Sequence, residues 1–114
     1  MGNNTNPLLK GTLQTIILKL LEDNDRMYGY EITQKVKEAS AGEFVLTEGA
    51  LYPALHKLEG EGLLRTTTEI VDGRARKYYS LTQHGGKLVS SKMDEARAFI
   101  EQLQNVLNLK PAVE

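Results

Sequence analysis

The sequence predicts a mainly α-helical chain with a small β-hairpin, arranged as a winged helix-turn-helix with a C-terminal dimerisation helix. Three observations predict it. Three successive segments before residue 60 carry apolar residues at steps of three and four. Two segments of alternating apolar and polar residues then flank Asp72-Gly73. The final long segment carries an apolar seam that repeats in heptads.

The first helix opens at Asn6-Pro7, a capping side chain followed by a residue suited to the first turn. Leu13, Ile16, Ile17, Leu20 and Leu21 form its apolar face, and Gly11 weakens its start. It ends near Asp23-Asn24-Asp25. The second helix opens at Tyr28-Gly29-Tyr30 and buries Ile32, Val36 and Ala39. Ser40-Ala41-Gly42 closes it, with Gly42 suited to a left-handed cap. Thr47 caps the third helix, and Glu48 sits at the positive end of its dipole. Leu51, Ala54, Leu55 and Leu58 are its inner stripe, and Gly60 and Gly62 bracket its end.

The period then changes to two. Leu64, Thr66, Thr68 and Ile70 line one face of a strand, and Ala75, Lys77, Tyr79 and Leu81 line the returning one. Asp72-Gly73 supplies the tight hairpin turn between them. Thr82 caps a fourth helix that runs to about Asn108. There Val89, Met93, Ala96, Ile100, Leu103 and Leu107 are spaced 4, 3, 4, 3, 4, and Phe99 and Val106 broaden the stripe. A lone helix with so wide an apolar face must bury it. The first three helices already make a core, so a second copy of the chain is the expected cover. Lys110-Pro111 ends the helix and leaves a frayed tail. The domain reading is therefore residues 1–82 as a winged-helix DNA-binding unit and 83–114 as a dimerisation helix and tail.

Composition agrees. At 114 residues, 40% hydrophobic and 25% charged, the chain has the size and make-up of one globular domain. So short a chain buries a modest core, and self-association buries more. The absence of cysteine excludes a disulfide framework and a thiolate zinc site. The apolar runs fall short of a membrane span, and Met1 to Asn6 lacks a signal-peptide pattern. A cytoplasmic protein is expected.

The net charge of −1 argues against indiscriminate coating of nucleic acid. Its distribution says more. No acid lies between Asp72 and Asp94, while Arg74, Arg76, Lys77, Lys87 and Lys92 do. Arg74, Arg76 and Lys77 fall just past the hairpin turn, where a basic ribbon can neutralise phosphates. In the third helix, the face opposite Leu51, Leu55 and Leu58 carries Thr47, Gly49, Tyr52, Pro53, His56 and Lys57. Short residues allow close approach to a major groove, and Tyr, His and Lys reach phosphates or base edges. The second helix's start, at Tyr28 and Gly29, offers backbone donors to a phosphate. No nucleophile, base and orienting group stand together, and neither His56 nor His84 has a partner at metal-ligand spacing. An enzyme, a metal site and a cofactor are therefore not expected.

Four stretches together carry a specific resemblance: Tyr28-Gly29-Tyr30-Glu31-Ile32, Thr47 through Leu55, Leu58-Glu59-Gly60-Glu61-Gly62-Leu63-Leu64, and Gly73 through Thr82. In that order and spacing the chain resembles the PadR family of phenolic-acid-repressor-like regulators, over about residues 8 to 86. The resemblance implies a transcriptional repressor that dimerises through its C-terminal helix and binds a palindromic operator in double-stranded DNA. It also implies release by an aromatic or amphiphilic small-molecule effector. With one C-terminal helix, the chain is similar to the short subclass, some of whose members stack flat drugs between tryptophans at the dimer centre. This chain has no Trp, and Met93, Ala96 and Phe99 are the residues placed there. The dimer interface so expected comprises Val89, Met93, Ala96, Phe99, Ile100, Leu103 and Leu107. The rival reading is a ligand-sensing or protein-interaction dimer with weak affinity for DNA, favoured by the near-neutral charge.

Overall fold

The computed structural model describes residues 7–109. The elements run α1 (Pro7–Lys10), α2 (Leu13–Asp23), β1 (Met27–Tyr28), α3 (Gly29–Ala39), α4 (Glu48–Gly60), β2 (Leu64–Val71), β3 (Arg74–Leu81) and α5 (Gln83–Val106). The strands form one antiparallel sheet in the order β1-β3-β2. α3 and α4 are the helix-turn-helix pair, and the β2–β3 hairpin is the wing.

The expected first helix is two. The chain breaks at Gly11-Thr12, where the Thr12 amide and hydroxyl both donate to the Leu9 carbonyl at 3.0 Å. A glycine followed by a β-branched residue that bonds its own backbone is a poor helix interior. The expected cap at Asn6 and the fraying at Lys110-Pro111 lie outside the described residues. α2 ends where expected: the Asn24 amide and side chain both donate to the Leu20 carbonyl at 2.9 Å.

The periodic residues form the core. Leu13, Ile17, Leu18 and Leu21 of α2 meet Ile32 and Val36 of α3 and Leu51, Leu55 and Leu58 of α4, all buried. Ala39 is exposed, because α3 turns its last residues to solvent. Val89, expected at a subunit interface, is 1% exposed in the chain's own core, since the start of α5 packs along α2. Met93 also packs against this core. The self-covering part of α5 thus extends further than the heptad spacing alone suggests.

α4 ends at a left-handed Gly62 (φ 78°), with the Gly62 amide on the Glu59 carbonyl and the Leu63 amide on the Leu58 carbonyl, each at 3.0 Å. α3 ends in the same way, but with Ala41 at φ 54° ahead of Gly42 at 85°. The wing turn has Asp72 at φ 52° and Gly73 at 77°, as a type I′ hairpin requires. It sets the register Val71↔Arg74, Glu69↔Arg76, Thr66↔Tyr79 and Leu64↔Leu81. Burial follows the alternation only at the base of the wing. Leu64 is buried, whereas Ile70 near the tip is 71% exposed, because the hairpin projects beyond the helices.

The start of α5 is seated on the chain that leaves α4. The Thr82 amide donates to the Leu63 carbonyl at 3.0 Å, and its hydroxyl donates to the Gly62 carbonyl at 2.6 Å. The same hydroxyl accepts from the Gly85 amide at 3.0 Å, capping α5 as expected. A Cβ at Gly85 would overlap the Leu63 carbonyl oxygen and lie 3.0 Å from its carbon, whereas one at Gly86 would meet nothing. Gly85→Ala should therefore lower unfolding free energy by roughly 3 kcal/mol, as overpacking against backbone does. Gly86→Ala should raise it by about 0.5–1 kcal/mol through helix propensity. Urea unfolding of the two variants checks both. Equal stabilities would mean that the close approach does not constrain the fold.

Candidate nucleic-acid interface

α4 is exposed along one side because its apolar residues fall on the other. Leu51, Leu55 and Leu58 are buried, while Gly49, Pro53, His56 and Lys57 are exposed and Tyr52 is half-buried. Thr47 is committed as the cap: its hydroxyl accepts from the Ala50 amide at 3.2 Å. A Cβ at Gly49 would come no nearer than 4.0 Å to its closest neighbour, so this turn presents open backbone. Tyr52 and His56, one turn apart, have ring centroids 6.3 Å apart. Pro53 removes an amide donor in the second turn without breaking the helix.

Tyr52 leans back over the start of α3. A Cβ at Gly29 would overlap the Tyr52 hydroxyl and lie 3.0 Å from Cζ. Gly29 is itself buried. The room it gives is taken by this phenol, so Gly29 serves the packing of α4 on α3. The Tyr28 amide is also engaged, donating to the Glu31 carboxylate at 3.1 Å.

Tyr28, Gly29 and Tyr52 form one wall of a cleft of about 690 Å³, and the wing forms the other with Arg74, Arg76 and Lys77. Six of the ten residues expected at DNA thus surround one cleft. Gly49, His56 and Lys57 of α4 and its cap Thr47 lie outside it. The basic block splits: Lys87 and Lys92 belong to α5, and Lys92 pairs with Glu95 at 3.7 Å.

The sheet face on the side away from Tyr79 joins Tyr28 and Arg76 to Arg26, Glu69 and Tyr78, which no sequence pattern marks. Tyr28 and Tyr78, neighbours across β1 and β3, meet edge to face with centroids 5.6 Å apart. The Arg26 guanidinium lies 4.0 Å from the Tyr78 ring centroid, and Arg76 lies 4.2 Å from that of Tyr28. Arg26 holds Glu69 with two hydrogen bonds, Nη1 to Oε2 and Nη2 to Oε1, the second at 3.0 Å. The bond from Arg26 is the main cause that holds the Glu69 carboxyl below its ordinary range. Arg76 is raised chiefly by its hydrogen bond with Tyr78. β1 was missed because two residues are too few to show a period. Arg26 stands just before it with no pattern to mark it.

Fold and site define a winged helix-turn-helix protein in which Tyr52 of α4 and the basic wing flank a common cleft. Residues 17–91 match the transcriptional regulator PadR-like family, and the chain belongs to that family. It is 37% identical over 91 residues to a transcriptional regulator of Mycobacterium tuberculosis, covering 80% of this chain and 78% of that one. A transcriptional regulator structure from Clostridium thermocellum is similar with TM-score 0.75 and 30% identity, covering 90% of this chain and 96% of the other. A PadR family regulator from Clostridium difficile is similar with TM-score 0.68 and 35% identity, covering 85% and 98%. The family and these three relatives are transcriptional regulators. No described helix is long and apolar enough to cross a membrane.

Tyr79 lines the cleft from the core side and is 1% exposed, and its hydroxyl has no hydrogen-bond partner among the described residues. Burial is the first cause that raises this phenol above its ordinary 10.0, followed by Tyr52 and Glu59. The unfolded chain then loses this proton at lower pH than the folded one. Tyr79's contribution to stability is therefore whole below pH 10.0 and falls as pH rises through the folded value. Tyr79→Phe should remove this alkaline loss and, by deleting an unpaired hydroxyl, stabilise the fold by about 1 kcal/mol at neutral pH. Thermal unfolding of both proteins from pH 7 to 11 checks this. An alkaline loss that persists in the Phe variant would assign it to other groups.

Proposed function

We propose that the chain binds double-stranded DNA as a homodimer and represses transcription from a palindromic operator. The carrying observation is the cleft that sets Tyr52 of α4 opposite Arg74, Arg76 and Lys77 of the wing. In this reading residues 1–82 are the DNA-binding unit. The exposed face of α4 (Thr47, Gly49, Tyr52, His56 and Lys57) enters the major groove and sets sequence preference. The wing cations neutralise phosphates. Tyr28 and Gly29 support the contact by seating Arg76 and Tyr52.

Residues 83–114 supply the dimer in this reading. Beyond Met93, α5 leaves Phe99, Ile100, Leu103, Val106 and Leu107 between 39% and 80% exposed. A helix that exposes such a stripe in water gains by pairing. A two-fold dimer presents two copies of α4, which matches a palindrome. A second reading, effector binding at the dimer centre, is favoured by an apolar groove of about 550 Å³. Pro7, Leu8, Ala96, Phe99 and Leu103 line it. Met93, also assigned there in this reading, is partly buried against the core.

Arg76→Ala should weaken specific and random duplexes alike and lower the slope of log affinity against log salt by about 0.9 per protomer. Changes at Gly49 or Tyr52 should instead cost about 1–3 kcal/mol at particular operator positions and leave the slope nearly unchanged. Titrations of selected and random DNA at several salt concentrations decide this, and reversed behaviours would reject the assignment. Ile100→Glu with Leu103→Glu should yield monomer or unfolded chain on sedimentation, because the interface would bury charge. A dimer of native stability would set the α5 interface aside. Calorimetric titration of aromatic cations should give heat that Phe99→Ala abolishes. Heat in neither protein, or equal heat in both, would remove the effector site.

A further inference from the structure

Glu69 has two arginines to choose between. Arg76 stands directly opposite it across the wing, since Glu69 and Arg76 are register partners on β2 and β3. Opposite charges at facing positions of an antiparallel pair are well placed to bond. Glu69 nevertheless gives both carboxylate oxygens to Arg26, which reaches across from the chain before β1. Arg26 and Glu69 thereby form the forked, two-bond pair that a guanidinium favours. Arg76 turns the other way. Its guanidinium lies over Tyr28, and the side chain lines the cleft beside Arg74 and Lys77.

We propose that Arg26 is a positioning residue for DNA binding, which occupies the Glu69 carboxylate so that Arg76 remains unpaired with it and faces the phosphate backbone. The inference rests on the reading of the wing given above. Two consequences of the geometry support it. An unoccupied Glu69 carboxylate would compete with a phosphate for Arg76 from the facing strand position. It would also place a negative charge next to the approaching backbone. Arg26 answers both while its own guanidinium stays over Tyr78, on the same sheet face as the Tyr28 ring that seats Arg76. A plain Arg26–Glu69 clamp would be weakened by the loss of either partner, and removing Glu69's charge would not restore what the loss of Arg26 takes away.

The test compares native protein with Arg26→Ala, Glu69→Gln, the double variant and Arg76→Ala, titrated with random-sequence duplex DNA at several salt concentrations. Arg26→Ala should bind about fivefold more weakly per protomer near 0.15 M salt, with the slope reduced by about 0.9 per protomer, as for a lost phosphate contact. Glu69→Gln should restore native affinity and slope in the Arg26→Ala background and change little alone. Native binding by Arg26→Ala, or a double variant as weak as Arg26→Ala, would overturn the proposal. Arg26→Gln, which keeps more of the side chain's packing, repeats the comparison if Arg26→Ala is poorly folded.

A readout without DNA separates this inference from the functional reading. The Arg76 Nε–H resonance should carry a ring-current shift from Tyr28 in native protein. It should lose that shift in Arg26→Ala and regain it in the double variant. A resonance unmoved by Arg26→Ala overturns the proposal whatever the DNA titrations give. If Arg76→Ala leaves the native salt slope intact, the phosphate role of the wing fails, and with it the proposal's claim on DNA. The resonance would still report whether Arg26 keeps Arg76 from Glu69.

Discussion

The seat of α5 on the Gly62-Leu63 carbonyls is the constraint from which the rest of the arrangement follows. Thr82 bonds to both carbonyls, and Gly85 lets the helix come to rest against Leu63. This contact joins the end of α4 to the beginning of α5 through backbone groups, which have little freedom to adjust. The direction of α5 is thereby coupled to that of α4. Any surface that α5 shares with another molecule is then held at a set angle to the exposed face of α4. The left-handed end of α4 is part of the same arrangement, because it turns the Gly62 and Leu63 carbonyls toward Thr82.

The wing is coupled by different means. Its base is held by core packing of Leu64 and Tyr79, and its tip projects. Between them, Arg26, Tyr78, Tyr28 and Arg76 tie β3 to the chain that enters α3. These contacts are exposed or half-exposed, and each is modest alone. Their effect is directional: they fix where cations stand without making the wing part of the core.

Much of this was legible in the residues. The inner stripes of α2, α3 and α4, the Thr47 and Thr82 caps and the Asp72-Gly73 turn all express local rules that one segment satisfies by itself. Apart from the local break at Gly11-Thr12, what was not legible concerns relations between segments. β1 exists only because β3 passes beside it. Gly29 and Gly85 are explained by Tyr52 and Leu63, which are distant in sequence. Val89 satisfies the heptad seam and a core position equally well, and only the direction of α5 along α2 distinguishes them. The pairing of Glu69 with Arg26 spans 43 residues, and no spacing rule announces it.

The division of α4 into a buried stripe and an open side has a consequence for inheritance. Leu51, Leu55 and Leu58 hold the helix in place, while Gly49, His56 and Lys57 stand clear of the core. Substitutions on the open side meet little resistance from folding, and those on the buried stripe meet a great deal. Duplicated copies of such a gene could diverge at a few exposed positions and keep one scaffold. Under the proposed reading, single mutations on that side try new recognition and leave a folded protein behind.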